Sequence, residues 1–97
     1  MHAVARKYTA PADVVEEARP KLAQLEQMMR QTPGFVAYYF LETDDGLTTI
    51  TITDDEAGTQ ESMSRAANWV QQNLPQTRDS IGALKVTTGQ VFLSATR

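Results

Sequence analysis

The chain contains no cysteine. That excludes a disulfide framework, a thiolate nucleophile and a Cys-based metal site. One histidine, His2, is too few for a zinc site of the usual ligand set. No apolar run approaches the ~18 residues of a membrane span, so no membrane partner is expected. Basic residues are in the minority, 9 Lys+Arg against 12 Asp+Glu, for a formal net charge of -3. A nucleic-acid partner is therefore not expected. There is no Gly-rich phosphate loop, no Walker pattern and no EF-hand spacing. Charge lies between Met1 and Thr9, where a secretory leader would be apolar, so a cytoplasmic location is expected.

What is present is ordinary globular composition: 97 residues, 41% hydrophobic and 22% charged. That predicts one domain, 1–97, without repeats, low-complexity tracts or linkers. A domain this small buries only around two-thirds of its unfolded surface, so further core has to come from an oligomer.

Alternation over residues 2–9 predicts a strand with His2, Val4, Arg6 and Tyr8 on one side. Ala12 to Gln31 then shows helical spacing, with Val15, Ala18, Leu22, Leu25 and Met29 in one stripe. Pro20 removes a backbone hydrogen bond and clashes with the carbonyl of Glu16, so a kink or two abutting helices is predicted there. Phe35 to Thr43 reads as a strand with Phe35, Ala37, Tyr39 and Leu41 on one face and Val36, Tyr38 and Phe40 on the other. Asp44-Asp45-Gly46 signals a hairpin into Leu47–Thr53, whose β-branched residues suit a pleated surface. A second helix follows to about Asn73, capped by Asp54, Asp55 or Thr59, with Met63, Ala66, Ala67, Val70 and Leu74 as its apolar stripe. Residues 76–84 read as a loop, and 85–95 as a last strand with Gly89 at a bulge or close approach.

The order β-α-β-β-α-β is the ferredoxin-like α+β sandwich: a four-stranded antiparallel sheet with two helices on one face. The opposite face should then be polar at alternate positions, yet the strand at 35–43 is apolar both ways. Leaving it in water would forgo roughly 1.5–3 kcal/mol per large side chain. Packing sheet against sheet in a homodimer is the expected solution.

The runs GFVAYYFLETDDG (34–46), TTITITDDEAGTQES (48–62) and AANWVQQNL (66–74) resemble a group of small bacterial proteins in the dimeric α+β barrel superfamily, alongside the antibiotic biosynthesis monooxygenase-like domains. The resemblance spans nearly the whole chain. It implies a homodimeric α+β barrel with a ligand cleft between each sheet and its helices. Superfamily members range from cofactor-free oxygenases and haem-degrading enzymes to muconolactone isomerases. The haem-degrading relatives carry an iron-ligating histidine on a helix, and no helix here has one, so neither haem nor another cofactor is expected.

Under the enzyme reading, Tyr39, Trp69 and Asn68 are the catalytic candidates. A polar or aromatic group in a dry cleft could hold a developing oxyanion, and a tyrosine could donate a proton. Each also has a bland reading. Trp69 borders Ala66 and Val70 on the helical wheel and serves as edge-of-core packing. Asn68 is solvated, and Tyr38 and Tyr39 both pack, one toward the helices and the other toward the dimer core. His2, the fourth candidate, is a loosely held terminal residue. The seven carboxylates between 42 and 61 read as turns and helix caps, with no metal.

Three functions remain: a cofactor-independent monooxygenase-like enzyme on a small aromatic or polyketide-like substrate, a non-catalytic ligand-binding or sensing dimer, and an interaction module. A cleft of ~300 Å³ or more with inward polar groups would favour a small apolar or aromatic ligand; a filled cleft would favour the module.

Overall fold

The computed structural model describes residues 1–82 and 85–97. Its main elements are β1 (His2–Thr9), α1 (Ala12–Ala18), α2 (Leu22–Arg30), β2 (Phe35–Thr43), β3 (Gly46–Thr53), α3 (Glu56–Asn73) and β4 (Lys85–Gln90). The strands form one antiparallel sheet in the order β2-β3-β1-β4, as the ferredoxin-like reading requires. No helix among the described residues is long and apolar enough to cross a membrane.

Pro20 acts as anticipated. It sits in a 3₁₀ turn, Arg19–Lys21, that separates α1 from α2. The two short helices together bury Val14, Val15, Ala18, Leu25 and Met29. α3 starts at Asp55, whose carboxylate accepts a hydrogen bond from the Gly58 N–H at 3.0 Å. Gly34, between α2 and β2, has φ 72°, which disfavours any side chain. Gly46 has a different reason to be glycine: its φ is not positive, but a Cβ there would collide with the Tyr8 carbonyl oxygen.

Two expectations about faces are corrected. Register breaks between Phe35 and Ala37, so Val36 is the extra residue of a β-bulge. Phe35 therefore packs toward the helices with Tyr38 and Phe40 rather than sharing a face with Ala37, Tyr39 and Leu41. On α3 the buried line is Gly58, Thr59, Ser62, Ala66 and Trp69, while Ala67 is exposed. Small and hydroxylated side chains let this helix lie close to the sheet, and an apolar-only stripe overlooks them.

The core under the helices consists of Val14, Val15, Ala18, Leu25, Met29, Leu47, Trp69 and Leu74. The opposite face carries Ala37, Tyr39 and Leu41 of β2 beside Ile50 and Ile52 of β3, and nothing among the described residues covers it. Tyr39 is 53% exposed and Leu41 43%.

β4 is shorter than expected, ending at Gln90 rather than Ala95. Gly89 pairs with Ala3 in unbroken register and has open space above it, so it is neither bulge nor close approach. Beyond the strand, the Val91 N–H donates to the Met1 carbonyl at 2.9 Å, and Phe92 and Leu93 stand exposed. Of the loop expected at 76–84, residues 83 and 84 lie outside the described residues.

Candidate functional site

Alternation along β1 sends His2, Val4 and Arg6 under the helices, and all three are buried. Arg6 is 2% exposed at the middle of the sheet, opposite Thr49 of β3, which in turn faces Phe40 of β2. The adjoining row is Val4, Thr51 and Tyr38. Above them α3 places Ala66 and Trp69, and α2 places Leu25.

These residues line a small, partly open pocket of about 30 Å³, with Arg6, Tyr8, Tyr38, Phe40, Thr49 and Trp69 among its neighbours. It is large enough for a water molecule or a few atoms of a ligand. A wider, open groove of about 500 Å³ runs between α2 and β2, past Glu26 and Arg30. Leu25, Tyr38 and Phe40 line both spaces and form the wall between them.

Around the pocket several buried polar atoms lack hydrogen-bond partners among the described residues, although the pocket's own exposed lining is apolar. Arg6 Nε and Nη2, Thr49 Oγ1 and Trp69 Nε1 are all buried without one. Native interiors rarely leave such groups unpaired, because each forfeits its hydration. No carboxylate among the described residues lines the cavity to balance the guanidinium. Burial pushes the Tyr38 hydroxyl up to about 12, and the nearby Arg6 charge offsets only part of that effect. Tyr38 is therefore a neutral O–H donor at neutral pH. Thr49 approaches it without satisfying its own hydroxyl.

His2 is the clearest departure from the sequence reading. It is 6% exposed, not loosely held, and its Nδ1 lies 2.7 Å from the Thr59 hydroxyl. Thr59 donates its one proton to the Glu56 carbonyl at 2.9 Å. Nδ1 must then supply the hydrogen shared with Thr59. His2 lines neither the cavity nor the groove. With no lining imidazole and so little enclosed volume, the residues present do not fit a haem.

The three catalytic candidates are not brought together. Trp69 is buried at the cavity. Asn68, the preceding residue on the helix, is exposed. Tyr39 lies on the helix-free sheet face and borders only the open groove, while Tyr38 takes the inward place. Arg65 is held at the surface by Glu61, 3.2 Å away. The residue that sequence reasoning misses is Arg6. Its strand parity with Val4 is visible, but a charged side chain on a terminal strand is ordinarily solvated.

No family model and no curated protein matches the sequence. Solved structures do match in fold. A Nitrosomonas europaea protein of unknown function aligns over 99% of this chain and 93% of its own, with TM-score 0.75 and 16% identity. The heme-degrader MhuD of Mycobacterium tuberculosis, with two hemes bound, aligns over 99% and 100%, with TM-score 0.70 and 12% identity. A mutant form of SnoaB, a cofactor-independent oxygenase from Streptomyces nogalater, aligns over 99% and 96%, with TM-score 0.62 and 14% identity. The chain thus has the fold of the antibiotic biosynthesis monooxygenase-like α+β proteins.

Proposed function

We propose that this chain is a homodimeric small-molecule-binding protein whose ligand lies between the helices and the sheet. One observation carries the reading: an open groove of about 500 Å³ adjoins a small apolar pocket, with Leu25, Tyr38 and Phe40 lining both. The groove of about 500 Å³ falls in the usual range for ligand sites, about 300–1,000 Å³, and is lined by Phe35, Tyr38, Tyr39 and Phe40 beside Glu26 and Arg30. The cavity alone is far too small for an organic ligand, so part of the molecule would rest in the groove.

The homodimer is supported by the uncovered face of Ala37, Tyr39, Leu41, Ile50 and Ile52. A second copy covers it by presenting the same face, which satisfies both chains at once. Phe92 and Leu93, projecting beyond β4, would add apolar contact with that copy.

Thermal denaturation with a panel of neutral aromatics, 2-naphthol first, tests binding. Saturable stabilisation is expected. The absence of any shift across the panel would leave an interaction module as the better account.

A cofactor-independent oxygenase is the second reading, favoured by Trp69 and Tyr38 lining one pocket. These two donors could hold the oxyanion of a phenol whose carbanion reacts with dioxygen. Within this reading Trp69 keeps its assignment, Tyr38 acts where Tyr39 was expected, and Asn68 has no contact with the cavity. Oxygen uptake with dihydroxynaphthalene or anthrone is the assay, and uptake equal to buffer rejects it for those substrates.

A further inference from the structure

The groove beside β2 follows the outer edge of that strand. We propose that this edge is a strand-addition site whose occupant is the C-terminal segment, from residue 91 onward, of a second copy, so that the groove is built by two chains. The inference rests on the homodimeric ligand-binding reading above and assigns the missing wall of its groove.

The lining identifies the edge. It includes Ala37, Tyr38, Tyr39 and Phe40, successive residues of one strand. Ala37 and Tyr39 belong to the helix-free face, while Tyr38 and Phe40 pack under the helices. Side chains alternate across a sheet, so a space confined to one face meets every second residue. A space that runs along the outer edge of the strand meets all four. Among the described residues β2 pairs with β3 and with nothing on its other side. The outward backbone groups of such an edge are a template for another strand. The usual safeguards are missing, since Phe35 to Leu41 includes neither proline nor charge.

The C-terminal segment fits that template. Past the Val91 N–H, which donates to the Met1 carbonyl, residues 92–97 are all exposed. Phe92 stands fully in solvent and Leu93 nearly so. In extended form, residues 91–96 span about 20 Å, the length of the six β2 positions that line the groove. Val91, Leu93 and Ala95 then form one apolar row, which turns toward Leu22 and Leu25 of α2. Phe92, in the alternate row, covers Tyr39.

The sheet order makes the occupant a second copy. Within one chain, β3 and β1 separate β2 from β4. Face-to-face packing about a two-fold axis along the strands sets the β4 edge of each copy beside the β2 edge of the other. The exchange is reciprocal and continuous with the dimer face already proposed.

A photoreactive benzophenone side chain in place of Phe92 tests the contact in the full-length protein. Because Phe92 is fully exposed in the single chain, the change spares the fold. Irradiation at micromolar concentration is expected to join two chains, and peptide mapping should place the link within residues 22–40. Hydrogen exchange reads the same contact without a label. Backbone amides of residues 35–41 should exchange at least about tenfold faster in the double variant Phe92→Asp, Leu93→Asp than in wild type. That variant should also bind 2-naphthol several-fold more weakly.

A dimer whose links fall outside residues 22–40, such as on the face of Ile50 and Ile52, overturns the strand addition and leaves the homodimer standing. Equal exchange at 35–41 in both proteins overturns it as well. Unchanged 2-naphthol affinity in the variant overturns the two-chain groove. If wild type binds no 2-naphthol, the ligand reading fails by itself, and the links and the exchange rates decide the strand addition. A wild type that is monomeric by light scattering removes both.

Discussion

His2 and Thr59 are joined by a buried hydrogen bond of 2.7 Å, although 57 positions separate them in sequence. The contact ties the first strand to the first turns of α3 at the end of the molecule opposite the β2–β3 hairpin. Thr59→Val keeps the shape of the side chain but leaves Nδ1 buried without a partner. The expected cost is about 1–3 kcal/mol. In a domain of this size that corresponds to a fall in melting temperature of at least about 4 °C. Urea denaturation of Thr59→Val beside Thr59→Ser measures it. The serine variant should retain most of the lost stability, and destabilisation by serine with valine unaffected would show that the methyl group, not the hydroxyl, matters.

That bond also marks the limit of what the sequence discloses. Strand and helix periods are readable because apolar residues recur at fixed spacing, and Pro20 breaks the first helix by a local steric rule. The inward face of β2 is not readable, since it depends on a bulge at Val36 and both faces are apolar. A one-residue change of parity exchanges Tyr38 and Phe35 with their neighbours. The burial of His2, Arg6, Thr59 and Ser62 escapes notice for a related reason. Polar residues enter a core only when tertiary partners or a ligand compensate them, and no local pattern signals that. For the site, Trp69 is legible as a large residue at the edge of the α3 stripe. Its companion Arg6 depends on the antiparallel pairing of β1 and β3.

Glu17 joins α1 to the segment after α3. Its Oε1 accepts from the Thr77 hydroxyl at 2.6 Å and from the Thr77 N–H at 3.1 Å. The Thr77 hydroxyl is the largest influence holding this carboxyl below its ordinary value of 4.5, and partial desolvation opposes it. A carboxyl with a depressed folded pKa stabilises the fold above its unfolded pKa, and that contribution is lost as pH falls through the folded value. Denaturation midpoints measured from neutral to strongly acidic pH should show wild type losing stability more steeply than Glu17→Gln. Parallel curves would mean that the Thr77 contact does not favour the ionised form.

Tyr38 gives an alkaline signature. There are 3 tyrosines, and Tyr38 has its ionisation pushed to about 12 by burial. Absorbance at tyrosinate wavelengths should show one group resisting ionisation until about pH 12, and Tyr38→Phe should remove that component. The raised folded pKa also contributes stability that is fully present below pH 10 and declines as pH rises toward about 12. Stability of wild type relative to Tyr38→Phe should therefore fall across that interval. A difference between the two proteins that stays constant with pH would place the hydroxyl in contact with solvent.

The uncovered sheet face predicts an association that can be broken without unfolding the chain. Leu41 and Tyr39 are 43% and 53% exposed on it, so neither contributes much to the core of a single subunit. Substitution at such positions ordinarily changes folding stability by no more than about 0.5 kcal/mol. In a face-to-face dimer the same side chains are buried, and a charge there lacks both water and a partner. Light scattering on wild type at micromolar concentration should therefore give the mass of two chains. Leu41→Lys and Tyr39→Glu should each give the mass of one, with circular dichroism unchanged. Mixing the two variants would partly restore the dimer if the residues meet across the interface, since the introduced charges are opposite. A monomeric wild type, or variants that remain dimeric, would show that this face meets something other than its own copy.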